Sequence, residues 1–237
     1  MRCGAPTMFD LVMFDLDGTL VETAPEITDA VNDLLRDQQL PEVAEHLIRT
    51  WIGHGTRELV LHAYAHATGL EEDTVRRAGT LDILMPRFAE FYAARTGQRS
   101  RLYPGVLDTL KELRAAQVRT AVVTNKEQRY TSTVLMVHGI RHYFDMVVCG
   151  DTLAAKKPDP LPVRYCLDAL KVAASRALFV GDSEIDVATA RAAGVPIWAV
   201  PYGYNHGKSI ALAVPDRIIP TVVAVAEAIG GERRRVA

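Results

Sequence analysis

The chain has 237 residues, 49% of them hydrophobic and 24% charged, and a formal net charge of −2. These values are typical of a globular protein with a sizeable core, and the length suits one domain that carries an insertion. The near-neutral charge excludes a basic surface for nucleic acid or for anionic lipid. No apolar run has the length of a membrane span, so neither nucleic acid nor a membrane is expected as a partner.

The cysteines and the N-terminal segment indicate the cellular compartment in which the protein is expected. Cys3, Cys149 and Cys166 are scattered and form neither a CxxC pair nor a zinc-binding spacing. They favour reduced thiols in a cytoplasmic protein. The N-terminal segment lacks the apolar centre of a signal peptide, which agrees with that expectation. Met8, which lies just before the first apolar run, is an alternative start.

The first predicted element is a short buried strand over residues 11–14, which runs directly into Asp15, Asp17, Gly18 and Thr19. The apolar run is too short for a core helix, and the Asp-Gly pair predicts a turn that leaves the sheet. Ligands of open α/β sheets bind at the carboxyl ends of the strands, where these carboxylates would stand. Two carboxylates beside a glycine turn suit a hard cation and a phosphate. An ordinary turn is the alternative for this motif alone.

A helical block follows, because residues 23–96 contain no strand-like run. The spacing of apolar residues predicts helices around 27–35, from 41 or 42 to 51, over 56–67, and one or two more over 71–94 with an interruption near Pro86. A Gly-His-Gly loop at 53–55 separates the second helix from the third.

From residue 105 onward, helices and apolar strands alternate. Helices are predicted at 105–116, 127–138, 160–171, 184–193 and 222–229, and strands at 118–124, 146–150, 177–181, 196–201 and near 218. Continuously apolar strands between helices are typical of a parallel sheet covered on both faces, so the sequence predicts a doubly wound α/β fold. The expected domains are a core of residues 8–20 and 101–237 and a small all-helical domain of residues 21–100, inserted after the first strand. Residues 21–23 and 98–103 are the expected hinges.

Polar side chains stand at or just after the carboxyl ends of four predicted strands, which lie on one edge of a parallel sheet. They are Asp15 and Asp17, Thr124 and Asn125, Lys156 and Lys157, and Asp182 with Asp186 four residues further on. Each group alone is weak evidence, but four of them in order predict one functional site.

These motifs resemble those of the haloacid dehalogenase superfamily of aspartate-nucleophile phosphatases. The matching segments are FDLDGTL at 14–20, VVTN at 122–125, KKPDP at 156–160 and GDSEIDV at 181–187. The resemblance implies a Rossmann-like core with a helical cap after the first strand. Within the superfamily, the extended first motif FDLDGTLVETAPEI and the cap segment WIGHGTRELV are most similar to bacterial phosphoglycolate phosphatases.

The resemblance implies roles for the two aspartates of the first motif. Asp15 would be the nucleophile that forms an aspartyl phosphate, and Asp17 the general acid for the leaving alcohol and then the base for water. Spacing alone does not say which aspartate has which role. A carboxyl with an ordinary pKa of about 3.9 is ionised at neutral pH and needs no activating base.

A dianionic phosphate repels a carboxylate nucleophile, and Mg²⁺ would neutralise that charge and orient the phosphoryl oxygens. Its expected ligands are Asp15, the backbone carbonyl of Asp17, and Asp182. Asp186 is also a candidate for the metal site, where it would act through water or through Lys157. Asp182 equally fits the N-cap of the following helix.

The remaining candidates would bind the phosphate. Thr124 and Asn125 would offer a hydroxyl and backbone N–H groups, as an oxyanion hole does, or would form an ordinary turn. Lys157 would supply a positive charge to the phosphate and to Asp15. Lys156 is the competing lysine, but the resemblance favours the one directly before the proline.

Arg57 or His54, in the loop of the helical block, would meet the non-phosphate end of the substrate, for example a carboxylate. A solvated loop is the alternative. The leading hypothesis is a Mg²⁺-dependent phosphomonoesterase, monomeric or homodimeric, that hydrolyses a small phosphorylated metabolite, 2-phosphoglycolate. A sugar-phosphate mutase, a broad-specificity phosphatase for sugar phosphates or nucleotides, and a non-catalytic binding module are the alternatives. Thr19 counts against a mutase, in which valine is more usual there.

Overall fold

The computed structural model describes residues 8–236, with side chains for residues 8–230. Its strands are β1 (Leu11–Phe14), β2 (Val21–Glu22), β3 (Arg101–Leu102), β4 (Arg119–Val123), β5 (Met146–Val148), β6 (Ala177–Gly181), β7 (Ile197–Ala199) and β8 (Arg217–Ile218). Six of them form one parallel sheet in the order β5-β4-β1-β6-β7-β8, which confirms the predicted doubly wound α/β core. The other two, β2 and β3, pair antiparallel.

The helices fall into two groups. Five lie between β2 and β3: α1 (Ala24–Asp37), α2 (Glu45–Ile48), α3 (Thr56–Thr68), α4 (Glu72–Arg77) and α5 (Thr80–Arg95). Five belong to the core: α6 (Val106–Ala115), α7 (Gln128–Val137), α8 (Leu161–Leu170), α9 (Glu184–Ala193) and α10 (Val223–Val236). Across residues 8–236, none of these helices combines the length and the apolar character that crossing a bilayer requires.

Strand β1 is the centre of the sheet, and its side chains are fully buried on both faces. Val12 and Phe14 pack with α6, α7 and α10, whereas Leu11 and Met13 pack with α8 and α9. This alternation follows from the two-residue period of a strand, and it explains why the run is continuously apolar. Phe14 is in register with a residue of β4 on one side and of β6 on the other, so these three strands end at one level.

The helices between β2 and β3, which we call the cap, bury a hydrophobic cluster of their own. α5 packs mainly against α1 and runs unbroken through Pro86, so the interruption predicted there is wrong. The proline removes one N–H bond, but the buried side chains of Leu84, Phe88 and Tyr92 hold the helix against its neighbours. The helix predicted to end at residue 51 is also shorter, because α2 gives way to a 3₁₀ turn at Arg49–Trp51.

The two connections between cap and core lie side by side. Val21 is in register with Leu102, and Glu22 with Arg101, so β2 and β3 tie the entry of the cap to its exit. Strands of two residues carry too little pattern to be recognised in a sequence, so this pair was not predicted. The domain limits predicted at residues 20/21 and 100/101 fall at this ribbon and remain a prediction.

Candidate active site

Asp15 is the first residue beyond β1, and its backbone N–H donates to the carbonyl oxygen of Val180 in β6 at 2.9 Å. Its carboxylate lies 2.6 Å from the Nζ atom of Lys157, and that ammonium also lies 2.7 Å from Asp186. Lys157 is 3% exposed, so one buried cation joins two buried carboxylates. The Nζ atom of Lys156 instead donates to the backbone oxygen of His54 at 2.7 Å.

A third carboxylate, that of Asp182, follows β6 and is held from several sides. It accepts hydrogen bonds from the hydroxyl of Thr19 at 2.6 Å and from the backbone N–H of Tyr204 at 2.5 Å. Gly18, at a φ of +89°, and Gly203 pass so close that a Cβ atom on either would lie within 2.4 Å of its Oδ2 atom. These two positions therefore require glycine, and Asp182 has one fixed orientation.

Asp186 is bonded within the first turn of α9. Its Oδ2 atom accepts from the backbone N–H groups of Asp182 and Ser183 and from the Ser183 hydroxyl, while Oδ1 faces Lys157. Ser183, and not Asp182, is the N-cap of this helix and forms a reciprocal capping box with Asp186. With both oxygens engaged, Asp186 orients its neighbours and the ammonium of Lys157.

The electrostatics of the cluster depart from the sequence-based expectation. Burial raises the pKa of Asp15 to about 7; Lys157 opposes this rise, and Asp186 adds to it. Burial, and then the charge of Asp15, also raises the pKa of Asp182. Burial alone would lower the pKa of Lys157, but the carboxylates of Asp15 and Asp186 outweigh it and raise that pKa. Asp15 therefore needs a further positive charge to be fully ionised at neutral pH.

The residues present fit a divalent cation. One oxygen from each of Asp15, Asp182 and Asp186 lies within 4.8 Å of the others. The donors are hard oxygen atoms, the type that Mg²⁺ prefers, and the buried negative charge exceeds that of Lys157. Asp15 and Asp182, with the backbone carbonyl of Asp17, would hold the ion; Asp186 is already occupied.

The pH dependence of stability should reveal this excess charge. For Asp15 the folded-state pKa of about 7 exceeds the unfolded value, so the native state binds the extra proton. In chelator, its contribution to the free energy of unfolding should decline by about 3 kcal/mol from pH 5 to pH 8. Urea unfolding at both pH values tests this, and Asp15→Asn should lack that decline. Mg²⁺ should restore stability more at pH 8 than at pH 5, because protons compete with it. Equal slopes for the two proteins would contradict the assignment.

Asp17, the second aspartate of the motif, points to a different set of partners. Its carboxylate accepts from the hydroxyl of Thr23 at 2.7 Å, and both of its oxygens lie 2.9–3.0 Å from the Nζ atom of Lys126. The same ammonium donates to the hydroxyl of Tyr92 in cap helix α5. The two aspartates therefore diverge, each with its own buried lysine.

Thr124 and Asn125 follow β4 on the same edge and are buried. The Thr124 hydroxyl accepts from the backbone N–H of Lys126 at 3.2 Å. The side-chain amide of Asn125 donates to the backbone oxygens of Gly53 at 2.9 Å and Lys157 at 2.8 Å. Asn125 thus joins the cap loop to the loop that carries the catalytic lysine candidate.

A cavity that is partly open to solvent lies between the edge of the sheet and the cap. Its core wall carries both aspartates of the first motif, both buried lysines, Thr124 and Asn125. Its cap wall is largely apolar, with Ile27, Ile52 and Leu59, and is interrupted by Thr56 and Tyr92. The cavity therefore has a polar, charged floor under an apolar roof.

The cap loop at 53–55 is fixed to the core by further hydrogen bonds beside the cavity. The backbone oxygen of His54 accepts from Lys156, and the Thr56 hydroxyl donates to the carboxylate of Glu127. Gly53 and Gly55 line the cavity with backbone atoms only. The cap is therefore in direct contact with the core beside the cavity.

The two cap residues predicted to meet the substrate do not line this cavity. The guanidinium of Arg57 is about half exposed and pairs with Asp82 at 2.7 Å. The ring of His54 stacks on His206 with centroids 4.8 Å apart, and burial lowers its pKa. Their contact with substrate stays a prediction.

Sequence reasoning missed Lys126, Tyr92 and Tyr204. Lys126 directly follows Thr124 and Asn125, so its place at a strand end was a usable signal. Tyr92 carried none, because only the packing of the cap on the core brings it to the site. Tyr204 lies in the loop after β7 and reaches Asp182 through its backbone N–H, a donor that leaves no signature in the sequence.

Comparison with known proteins gives consistent matches. A sequence profile described as haloacid dehalogenase-like hydrolase matches residues 12–200. Phosphoglycolate phosphatase 1 of Pseudomonas aeruginosa is 40% identical over 212 residues, which are 88% of this chain and 75% of that relative. A phosphoglycolate phosphatase of Yersinia pestis is 39% identical over 219 residues, 92% of either chain.

Among solved structures, a protein from Haemophilus somnus described as a predicted phosphoglycolate phosphatase superposes with a TM-score of 0.86. It is 34% identical in sequence, and the match covers 94% of this chain and 99% of that one. The similarity therefore extends over the cap as well as the core.

Proposed function

Because the chain belongs to the haloacid dehalogenase-like hydrolase family, we propose that it is a Mg²⁺-dependent phosphomonoesterase that hydrolyses 2-phosphoglycolate to glycolate and phosphate. The observation that carries this is the arrangement at the end of β1. There the buried carboxylate of Asp15 lies 2.6 Å from Lys157 and faces a capped cavity. The substrate is proposed because the curated relatives cited above carry that name at 39–40% identity.

In the first step, a carboxylate oxygen of Asp15 forms a bond to phosphorus and the bond from phosphorus to the ester oxygen breaks. Lys157 holds Asp15 in one orientation and offers positive charge to the phosphoryl oxygens. Thr124, on the same wall, presents its hydroxyl to that group. Bound Mg²⁺ would neutralise phosphoryl charge and favour the ionised form of Asp15.

Asp17 donates a proton in the first step and accepts one in the second. The leaving alkoxide takes a proton from its carboxyl group. In the second step the Asp17 carboxylate removes a proton from water, which attacks phosphorus and breaks its bond to Asp15. Thr23 and Lys126 orient Asp17 toward the cavity for both transfers.

The cap has a role in the first step. Ile27, Ile52 and Leu59 roof the cavity and limit the access of water while the ester bond breaks. A low-dielectric surrounding also strengthens the attraction between Lys157 and the phosphoryl group. We propose that the reaction takes place in the cytoplasm.

Phosphate release from a substrate panel tests this proposal. We expect 2-phosphoglycolate to have a kcat/KM at least about 10-fold above those of glucose 6-phosphate, AMP and p-nitrophenyl phosphate. Chelation should lower its turnover by about 100-fold or more, and Mg²⁺ should restore it. Equal activity on all esters would favour a broad-specificity phosphatase. Conversion of glucose 1-phosphate to the 6-isomer without phosphate release would favour a mutase.

A further inference from the structure

We propose that Lys126 is the residue that selects an acidic substrate, its ammonium group binding the carboxylate of a small phosphorylated carboxylic acid. This inference rests on the proposed function and names the group that recognises the non-phosphate end. It transfers that role from the cap residues Arg57 and His54 to a lysine of the core.

The distribution of positive charge around the cavity supports this assignment. Among the described side chains that line it, Lys157 and Lys126 are the cationic ones. Lys157 lies between Asp15 and Asp186, at the end where phosphorus is attacked. Lys126, whose ammonium donates to Asp17 and to Tyr92, is therefore the second positive charge that an anionic group in the cavity can meet.

The position of Asp17 determines how close the carboxylate of the substrate comes to Lys126. The ester oxygen of the substrate must come within hydrogen-bond reach of Asp17, since it takes a proton from that carboxyl group. In phosphoglycolate the carboxylate carbon is two bonds beyond that oxygen. The Nζ atom of Lys126 lies 2.9 Å from Asp17, so a group two bonds beyond the ester oxygen comes within its reach.

Burial makes this ammonium selective. The Lys126 side chain is 2% exposed, and the roof opposite carries Ile27, Ile52 and Leu59. In such surroundings a charge-assisted hydrogen bond is stronger than in water. A neutral substrate would place an uncharged group where the site offers a cation. Arg57 faces Asp82 and solvent and adds no charge to this wall.

A purely orienting role is the competing explanation, because Lys126 also holds Asp17. The two roles differ in what they do to different substrates. An orienting lysine affects proton transfer to every alkyl ester equally, whereas a selecting lysine affects only the ester that carries a carboxylate.

The test compares 2-phosphoglycolate with 2-hydroxyethyl phosphate, in which a hydroxymethyl group replaces the carboxylate. The ratio of the two kcat/KM values is measured for the wild type, Lys126→Met, and Arg57→Met as the matched control at the other candidate cation. We expect the preference for 2-phosphoglycolate to fall by roughly 10- to 100-fold in Lys126→Met and to persist in Arg57→Met. Each ratio is measured within one protein sample, so partial unfolding cancels.

If Lys126→Met does not fold, Lys126→Gln decides the question, because it keeps a donor for Asp17 and Tyr92 without the charge. An unchanged ratio in these Lys126 variants, with both substrates slowed equally, would overturn the inference and leave Lys126 an orienting residue. Loss of preference in Arg57→Met alone would overturn it as well. A wild type with no preference for 2-phosphoglycolate would instead refute the substrate assignment itself.

Discussion

Replacement of Asp15 by asparagine should lower kcat for phosphate release by about 10⁴-fold or more, because an amide cannot form the phosphoryl bond that starts the reaction. The substitution is nearly isosteric, so the hydrogen bond from the Asp15 backbone to Val180 should persist. Phosphate release with saturating 2-phosphoglycolate and Mg²⁺ measures the effect.

The fold of this variant supplies the control. Burial raises the pKa of Asp15, which means that the ionised side chain is costly where it stands. A neutral amide removes that cost, so the Asp15→Asn protein in chelator at pH 8 should unfold at a temperature no lower than that of the wild type. Near-normal turnover by a folded Asp15→Asn protein would refute the nucleophile assignment.

The second large effect is expected for Lys157→Met, which should lower kcat by about 10³-fold and destabilise the fold by about 3–5 kcal/mol. Methionine keeps the length of the side chain but leaves Asp15 and Asp186 facing each other without the cation between them. Turnover is measured at a temperature where urea titration shows the variant folded.

The neighbouring lysine is the matched control. Lys156 contacts the backbone oxygen of His54 at the surface and touches neither carboxylate that Lys157 joins. Lys156→Met should therefore change stability by less than about 1 kcal/mol and kcat by less than about 10-fold. Equal losses in the two variants would mean that the pairing of Lys157 with Asp15 is not what catalysis requires.

Much of the fold was readable because its signals are local. The apolar run before Asp15 predicted a buried central strand, and the core helices and strands appear close to the expected positions. The interruption expected at Pro86 failed because packing against α1 outweighs one missing hydrogen bond. The β2–β3 pair escaped notice because contacts between its two strands, not their sequence, define it.

The convergence of residues on the floor of the cavity was predictable because parallel strands end at one edge. Thus Asp15, Thr124, Lys157 and Asp182 come together from distant parts of the sequence, as their positions after strands implied. The raised pKa of Asp15 was not predictable, since it arises from burial, which a sequence does not display.

The directions of the cap side chains and the partners of Lys126 were not predictable from the sequence. Arg57 is a candidate for substrate contact by its place in a cap loop; its side chain pairs with Asp82, and its contact with substrate remains a prediction. Lys126 acquires its partners from the loop after β1 and from α5. Asp17 and Tyr92 lie 109 and 34 residues away from it along the chain. Side-chain direction in a cap depends on docking against the core, and no local pattern encodes it.

The most direct test of the proposed mechanism is to look for phosphate on Asp15 during turnover. The protein is mixed with 2-phosphoglycolate and Mg²⁺, quenched in acid within milliseconds, reduced with borohydride and digested for mass spectrometry. If Asp15 is the nucleophile, the peptide with Asp15 carries homoserine at that position, and no reduced product appears at Asp17. A steady release of phosphate with no modified Asp15 at any quench time would contradict it.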